Sequence, residues 1–306
     1  MSNHNIISHP NHTFNLTSPS NIVAGNINEL NRRILKKVLL IDSRFRRNCA
    51  TRTTTDFDIS LPCAIKNVVS MKLTSLEIPV SFYVFSDKLR SNEFTITYNL
   101  VDYLVKVKPG NYASQEMVDY LNNEIFSQPP YNNNVEATFD SRYGKLIIQL
   151  SSTGIAAGDT IDLDFRLQDN PHRDLCLNMG WIMGYRNEKY QNLTTYEPEA
   201  FYDAGGPRYF ILAVDDFKRN VDNPYIAAYD GHIGKTNILA RLPQLNGIND
   251  ILFNDAADLI YKKREYFGPV DIEKLKIRVL DEYERVIDNN NMDFSLTLEF
   301  ECVYNL

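Results

Sequence analysis

Met292-Asp293-Phe294-Ser295-Leu296-Thr297-Leu298-Glu299-Phe300-Glu301-Cys302-Val303-Tyr304-Asn305-Leu306 alternates from end to end. Met292, Phe294, Leu296, Leu298, Phe300, Cys302, Tyr304 and Leu306 share one parity, and Val303 is the one apolar residue of the other. Successive side chains of a strand point to opposite faces, so the stretch reads as one long strand with a face in a core. The period recurs upstream in Phe57, Ile59, Leu61 and Cys63, in Phe94, Ile96 and Tyr98, in Ile161, Leu163, Phe165 and Leu167, and in Leu275, Ile277 and Val279. Val69, Met71 and Leu73 keep one phase, while Leu76 and Ile78 take the other. One extra residue in the strand produces such a switch, so a bulge is predicted near Thr74–Ser75, with Pro79 ending the strand.

Between these runs lie turn and helix signals. Pro109-Gly110-Asn111 is a turn, and Met117, Tyr120, Leu121 and Ile125 follow at helical spacing until Pro129-Pro130 stops them. Val135–Phe139 and Lys145–Leu150 form a hairpin through Ser141-Arg142-Tyr143-Gly144. A short helix is predicted over 173–179, ending at Gly180. Arg208–Val214 reads as a strand, and the rest of 187–264 as long loops. Many short strands with few helices place the chain in the mainly β class: a jelly-roll-like β-sandwich with one or two short inserted helices. The sandwich is assigned to 37–306, because no Pro/Gly/Ser linker divides it. Residues 1–36 form an extended N-terminal arm. The first 31 residues are rich in Asn, Ser and His and carry a single charge, Glu29. They have too little apolar surface to offset the entropy of ordering, so the arm is expected to be disordered alone, and either docks on a partner through Ile6, Ile7, Phe14, Leu16, Ile22 and Val23 or is a tail with no role.

Formal net charge is −7, yet Arg32, Arg33, Lys36, Lys37, Arg44, Arg46, Arg47 and Arg52 gather in one segment opposed only by Asp42. One basic contact region on an acidic body favours protein contacts over nucleic acid, whose binders are usually basic throughout the domain, with a simple solubilising patch as the alternative. The cysteines are Cys49, Cys63, Cys176 and Cys302, with no CxxC pair. Cys63 and Cys302 fall in the apolar phase of strands and are predicted to be buried thiols. The N-terminus lacks the basic start and apolar core of an export leader, and no apolar run approaches a membrane span. A reducing interior is therefore the expected site of assembly, and the sequons at Asn11, Asn15 and Asn192 read as chance matches.

Candidate chemistry is sparse. Gly231-His232-Ile233-Gly234-Lys235-Thr236 ends like a phosphate loop, but two residues separate its glycines where the motif needs four. His4, His9 and His12 lie in the arm, and His172 and His232 are isolated, so no metal site and no cofactor is predicted. No G-x-S-x-G elbow occurs. The adjacent acids Asp215–Asp216 and Asp281–Glu282 read as solvated faces.

Several segments, in order, carry a resemblance to a known family. They are Leu40-Ile41-Asp42-Ser43-Arg44-Phe45-Arg46, Thr55-Asp56-Phe57 with Leu61-Pro62, Asn67-Val68-Val69-Ser70-Met71-Lys72-Leu73 running into Leu76-Glu77-Ile78-Pro79, Pro109-Gly110-Asn111-Tyr112, and Tyr266-Phe267-Gly268-Pro269-Val270. Together they cover most of 38–306, with little in 187–264. The resemblance is to a virion protein type of the nucleocytoplasmic large DNA viruses, the minor capsid proteins. It implies a non-enzymatic structural component of an icosahedral capsid, located in the virion shell and assembled in the host cytoplasm. The implied partners are the major capsid protein and other minor capsid proteins, beneath or between the capsomers, with self-association also open. The rival reading is a β-sandwich binding module for a glycan or host receptor, at a capsid vertex, using exposed Tyr and Trp181. An enzyme on a β scaffold would need carboxylates or histidines converging in a cleft.

Overall fold

The structure is a computed structural model that describes residues 34–47, 53–153, 159–219, 221–222, 228–229, 232–233, 237–245, 247, 250–254 and 263–304. The arm residues Ile6, Ile7, Phe14, Leu16, Ile22 and Val23, and also Arg32, Arg33, Cys49 and Arg52, lie outside the described residues.

The chain is mainly β, with antiparallel sheets and few short helices. The largest sheet is built from the two ends of the described chain. It takes β1 (Ile34–Asp42) and β2 (Asp56–Pro79) from the first part. From the second it takes β10 (Tyr209–Asp215), β14 (Ile238–Pro243), β16 (Lys263–Leu280) and β17 (Ser295–Val303). The strand order is β14-β10-β16-β2-β17-β1, and the short strands β11 (Val221–Asp222) and β15 (Ile251–Asn254) pair onto β16 and β2.

Residues 80–207 supply the rest. β3 (Glu93–Tyr98), β4 (Val101–Lys106), β7 (Ile161–Asp164) and β8 (Lys189–Leu193) make a four-stranded sheet in the order β4-β3-β7-β8. β5 (Val135–Asp140), β6 (Lys145–Leu150) and β9 (Thr195–Tyr196) make a three-stranded one. A hairpin of β12 (Ala228–Tyr229) with β13 (His232–Ile233) completes the set. This pairing puts two residues of the loop-like Gly-His-Ile-Gly-Lys-Thr sequence in a strand ladder. The apolar faces meet in one continuous core, from Phe57, Leu275 and Ile277 of the large sheet to Phe94, Ile96 and Leu163 of the four-stranded sheet and Leu146 and Ile148 of the three-stranded sheet.

β17 shows why the terminal alternation decides the fold. Leu296, Leu298, Phe300 and Cys302 are buried, and the intervening residues are half-exposed. The alternation overreaches at its ends, because Met292 and Tyr304 lie beyond the strand and are exposed. β17 lies between β1 and β2, opposite Ile41, Leu39 and Lys37 on one side and Leu76, Leu73 and Met71 on the other. The phase switch is a bulge. Thr297 faces Ser75 and Leu298 faces Leu73, so Thr74 is the extra residue, its hydroxyl donating to the Thr297 carbonyl at 3.1 Å. A second shift lies between Glu301 and Cys302, facing Ser70 and Val68, so Val68 rather than Val69 is fully buried.

Two sequence expectations need correction here. Cys63 is exposed, not buried. The alternation from Phe57 continues, but Ile59 and Leu61 are only half-buried, so the core cover thins before Cys63 is reached. Gly180 does not end a helix. The helical stretch is a 3-10 turn at Leu175–Leu177 followed by α2 (Met179–Met183), and Gly180 lies inside α2. A Cβ there would sit 2.4 Å from the Phe165 ring, so the residue is small because that ring packs on the helix backbone. The helix ends instead at Gly184, whose φ of 99° is the left-handed conformation glycine adopts at least cost.

The other predicted helix is α1 (Ser114–Tyr120), which runs on as a π-helical turn to Phe126. Glu116 accepts from the Ala113 amide at its start. Met117, Val118, Leu121 and Phe126 are buried, and the Asn122 amide pins the helix to β5 through both the N–H and the C=O of Ala137. The 187–264 region holds more strand than the sequence reading allows. β14 is missed because Ile238, Leu239, Ala240 and Leu242 are all buried, which leaves no clean alternation to read.

Candidate functional site

The basic segment folds into the edge of the large sheet. β1 carries Lys36 and Lys37, and a 3-10 turn at Ser43–Phe45 carries Arg44, followed by Arg46 and Arg47. Folding brings carboxylates to it that are distant in sequence. Lys36 donates to Glu299 of β17 at 2.9 Å, which raises the lysine pKa. Arg44 reaches Asp42 at 2.5 Å and holds its carboxyl below the ordinary range. Arg46 is buried: its guanidinium donates to the Ser43 carbonyl at 2.7 Å and to Asp293 at 2.9 Å. It fixes the corner between β1 and β17 and is not a surface cation. Lys37 and Arg47 are exposed. The described part of the segment is therefore less cationic in its environment than in its sequence.

The same neutralisation covers the outward face of the large sheet. Lys263 lies between Glu265 (3.1 Å) and Glu301 (3.2 Å), and Glu301 also accepts from the Ser70 hydroxyl at 2.6 Å. That hydroxyl and Lys263 outweigh burial and keep the Glu301 carboxyl low. Lys276 faces Asp56 at 3.5 Å. Cross-strand pairs of opposite sign stabilise the sheet modestly and break up any one-signed field that the described residues of this face could offer a polyanion.

What the surface does present is apolar. On the outward face of β1, Ile34, Val38 and Leu40 are 51%, 61% and 77% exposed. Ile251 and Phe253 of β15 are exposed on the same sheet face, where Phe253 stands opposite Glu77 and Glu77 opposite Ser295. At the tip of the β3–β4 hairpin, Leu100 has a φ of 64° and is 99% exposed. A left-handed leucine with no cover bears two costs at one residue.

One cleft of about 340 Å³ lies between α2, the 203–208 loop and the 281–290 segment. Trp181 and Tyr283 line it, with Arg186 stacked 3.9 Å above the Trp181 ring and Arg285 5.1 Å from that of Tyr283. Two ion pairs lie within it, Arg285 to Asp281 at 2.7 Å and Arg208 to Asp203 at 2.6 Å. Burial pushes the Glu282 carboxyl up. Asp281 is thus a buried structural acid holding the turn through the amides of Tyr283 and Arg285, not a solvated one.

The Asp215–Asp216 pair also departs from its sequence reading. Asp216 is buried and accepts from Arg264 Nη1 at 3.1 Å and from the Tyr266 hydroxyl. Arg264 is itself fully buried, and its Nε and Nη2 have no hydrogen-bond partner among the described residues. The triad ties the end of β10 to the start of β16 across 48 residues, a spacing that left no local signal. Among the described residues no group of three or more His, Cys, Asp or Glu is placed to hold a metal ion, and no helix is long and apolar enough to cross a membrane.

No protein-family model matches the chain, and no curated protein sequence matches it. Among solved structures, the chain is similar to the crystal structure of the selenomethionine-labelled mavirus penton protein, at 10% identity and a TM-score of 0.44, over 89% of this chain and all of that one. A likeness at that level decides neither the function of this chain nor its place in an assembly.

Proposed function

We propose that the protein is a non-enzymatic structural component of an icosahedral viral capsid, a minor capsid protein that binds neighbouring shell proteins. The reading rests first on where the apolar surface lies. Ile34, Val38 and Leu40 line a strand edge of a rigid sheet, on a face whose charges are already paired. Such a surface suits protein contact better than a polyanion. The ordered segments that resemble minor capsid proteins supply the setting. Two of them, 40–46 and 67–73, fall on β1 with its corner and on β2, so the resemblance follows the central sheet. The partners are then the major capsid protein and other minor capsid proteins. Residues 34–36, assigned to the arm from the sequence, belong to β1; the arm that precedes them and the exposed cations Lys37 and Arg47 would add contacts of their own.

Quantitative mass spectrometry of purified particles, before and after washing in rising salt, tests this. The chain should co-purify with the shell in fixed proportion to the major capsid protein. A chain that stays in the host-cell soluble fraction while particles form without it would refute the assignment.

A second reading is favoured by the cleft. Trp181 and Tyr283 beside paired carboxylates are groups that glycan or host-receptor sites use. A glycan array probed with the purified chain separates the two. Specific binding that is lost in Trp181→Ala, by a chain not built into the shell, would favour the receptor module.

A further inference from the structure

We infer that β1 is a homotypic docking edge, on which a second copy of this chain adds its own β1 antiparallel and makes one sheet continuous across two subunits. This deepens the assembly reading by naming one partner, and it stands on the geometry of a single strand.

The two outer strands of the large sheet are built differently. β14 ends in Pro243, and its register against β10 breaks between Leu212 and Ala213. Proline and bulges are common devices that blunt an edge. β1 has neither. It pairs with β17 over nine consecutive residues without a register shift, and its other side carries no strand among the described residues. Its outward face presents Ile34, Val38 and Leu40 to solvent. A long, regular, apolar edge is a template for another strand.

The sequence of the strand selects the occupant and the register. Side chains directly opposite in an antiparallel pair share a face, so a two-fold pairing of β1 with itself must be centred on a residue or shifted by whole residues about one. Centring on Leu39 places Lys36 opposite the second copy's Asp42 and Val38 opposite the second copy's Leu40. Each pair then occurs twice, once from either copy. On the core side, Leu39 meets Leu39. Every outward pair from 36 to 42 is therefore apolar with apolar or cation with anion. Centring on Val38 instead sets Lys36 against Leu40 and Ile34 against Asp42, and it forms no opposite-charge pair. Lys36 and Asp42 keep Glu299 and Arg44 as partners within their own chain, and Lys37 meets Ile41 on the core side, so the register does not neutralise free charges. It sets opposite charges beside one another and apolar side chains together, which favours one register of a self-pair.

Sedimentation velocity of the full chain across a concentration series reads the dimer, and Val38→Lys with Leu40→Lys breaks it. Both residues are exposed, so the variant should keep the wild-type circular dichroism and thermal midpoint while dimerisation weakens at least about tenfold. Crosslinking fixes the register. In a Cys63→Ser background, Leu39→Cys should oxidise to a disulfide-linked dimer, since opposed residues lie about 4.5–5.5 Å apart. Lys37→Cys should not, since its counterpart stands four residues along the strand, about 14 Å away. A monomer at all concentrations, or a dimer indifferent to the two lysines, overturns the inference. So does a benzophenone attached at Leu39→Cys that links within one chain to residues 1–33, which would give the edge to the protein's own N-terminal segment. None of these results bears on whether the chain co-purifies with a shell, so the two readings fail separately.

Discussion

Deleting a residue on either side of the phase switch in β2 should have opposite consequences. The bulge puts two residues, Thr74 and Ser75, between Leu73 and Leu76, and both leucines face the core. Deleting Thr74 removes the extra residue itself. Leu73, Ser75, Leu76, Glu77 and Ile78 then alternate as a straight ladder, with Leu73, Leu76 and Ile78 still inward and Glu77 still outward. What is lost is one part-buried hydroxyl bond, about 0.5–1.5 kcal/mol, as in Thr74→Ala. Deleting Lys72 instead brings Met71 and Leu73 side by side. A ladder that keeps Met71 and Leu76 inward then turns the fully buried Leu73 outward and Thr74 inward. Exposing that leucine loses about 1.5–3 kcal/mol, a large part of the margin of about 5–15 kcal/mol that holds a typical domain together. Urea unfolding followed by far-ultraviolet circular dichroism and by the fluorescence of the sole tryptophan, Trp181, measures both. The Thr74 deletion should shift modestly, like Thr74→Ala, and the Lys72 deletion should unfold at clearly lower urea. A Thr74 deletion as unstable as the Lys72 deletion would refute the reasoning, since Thr74 would then not be the extra residue of the strand.

Other outcomes follow from the same structure. Asp216→Ala leaves the fully buried Arg264 charge without its partner and should cost about 3–5 kcal/mol in chemical denaturation, whereas replacing Asp216, Arg264 and Tyr266 together with apolar residues should cost much less. Gly180→Ala drives a methyl into the Phe165 ring and should cost about 1–3 kcal/mol, seen as a lowered thermal midpoint. Glu301 has a folded pKa below its ordinary value, so its contribution is present above the usual carboxylate range and lost as pH falls through the folded value; Glu301→Gln should flatten the acid limb of a stability–pH curve. Glu282 has the opposite sign: burial raises its folded pKa, stability falls as pH rises through that value, and Glu282→Gln should remove the decline.

Much of the fold was legible because its sheets bury one face. In β17 and in Leu275, Ile277 and Val279, the core side and the water side differ residue by residue, and a period of two follows. The Thr74 bulge could be read because Leu73 and Leu76 stand on either side of polar residues. The bulge at Val69 could not, because Val68 and Val69 are both apolar and exchange roles without changing the pattern. β14 hid for a related reason. Leu239, Ala240 and Leu242 join the main core while Ile238 joins a second small cluster with Ile211, Ala213 and Leu280, so both faces are covered.

The functional surface was less legible. Counting cations from 32 to 52 located the edge strand, but Glu299 and Asp293, which neutralise part of it, are more than 240 residues away in sequence. Likewise, Asp216 beside Asp215 resembles a solvated acid until Arg264 and Tyr266 are brought to it by strand pairing. Exposure of Val38 and Leu40 had no sequence signature either. They sit in a run of apolar residues that reads as a buried strand, and only the position of β1 at the sheet edge leaves them in water.

The most direct measurement is a density map of intact particles, with the chain located in it. Density for the sheet should lie within the capsid shell, with β1 and the Ile251–Phe253 strand covered by neighbouring subunits. A shell complete without this chain, or one in which both apolar edges face open solvent, would contradict a structural role in the capsid.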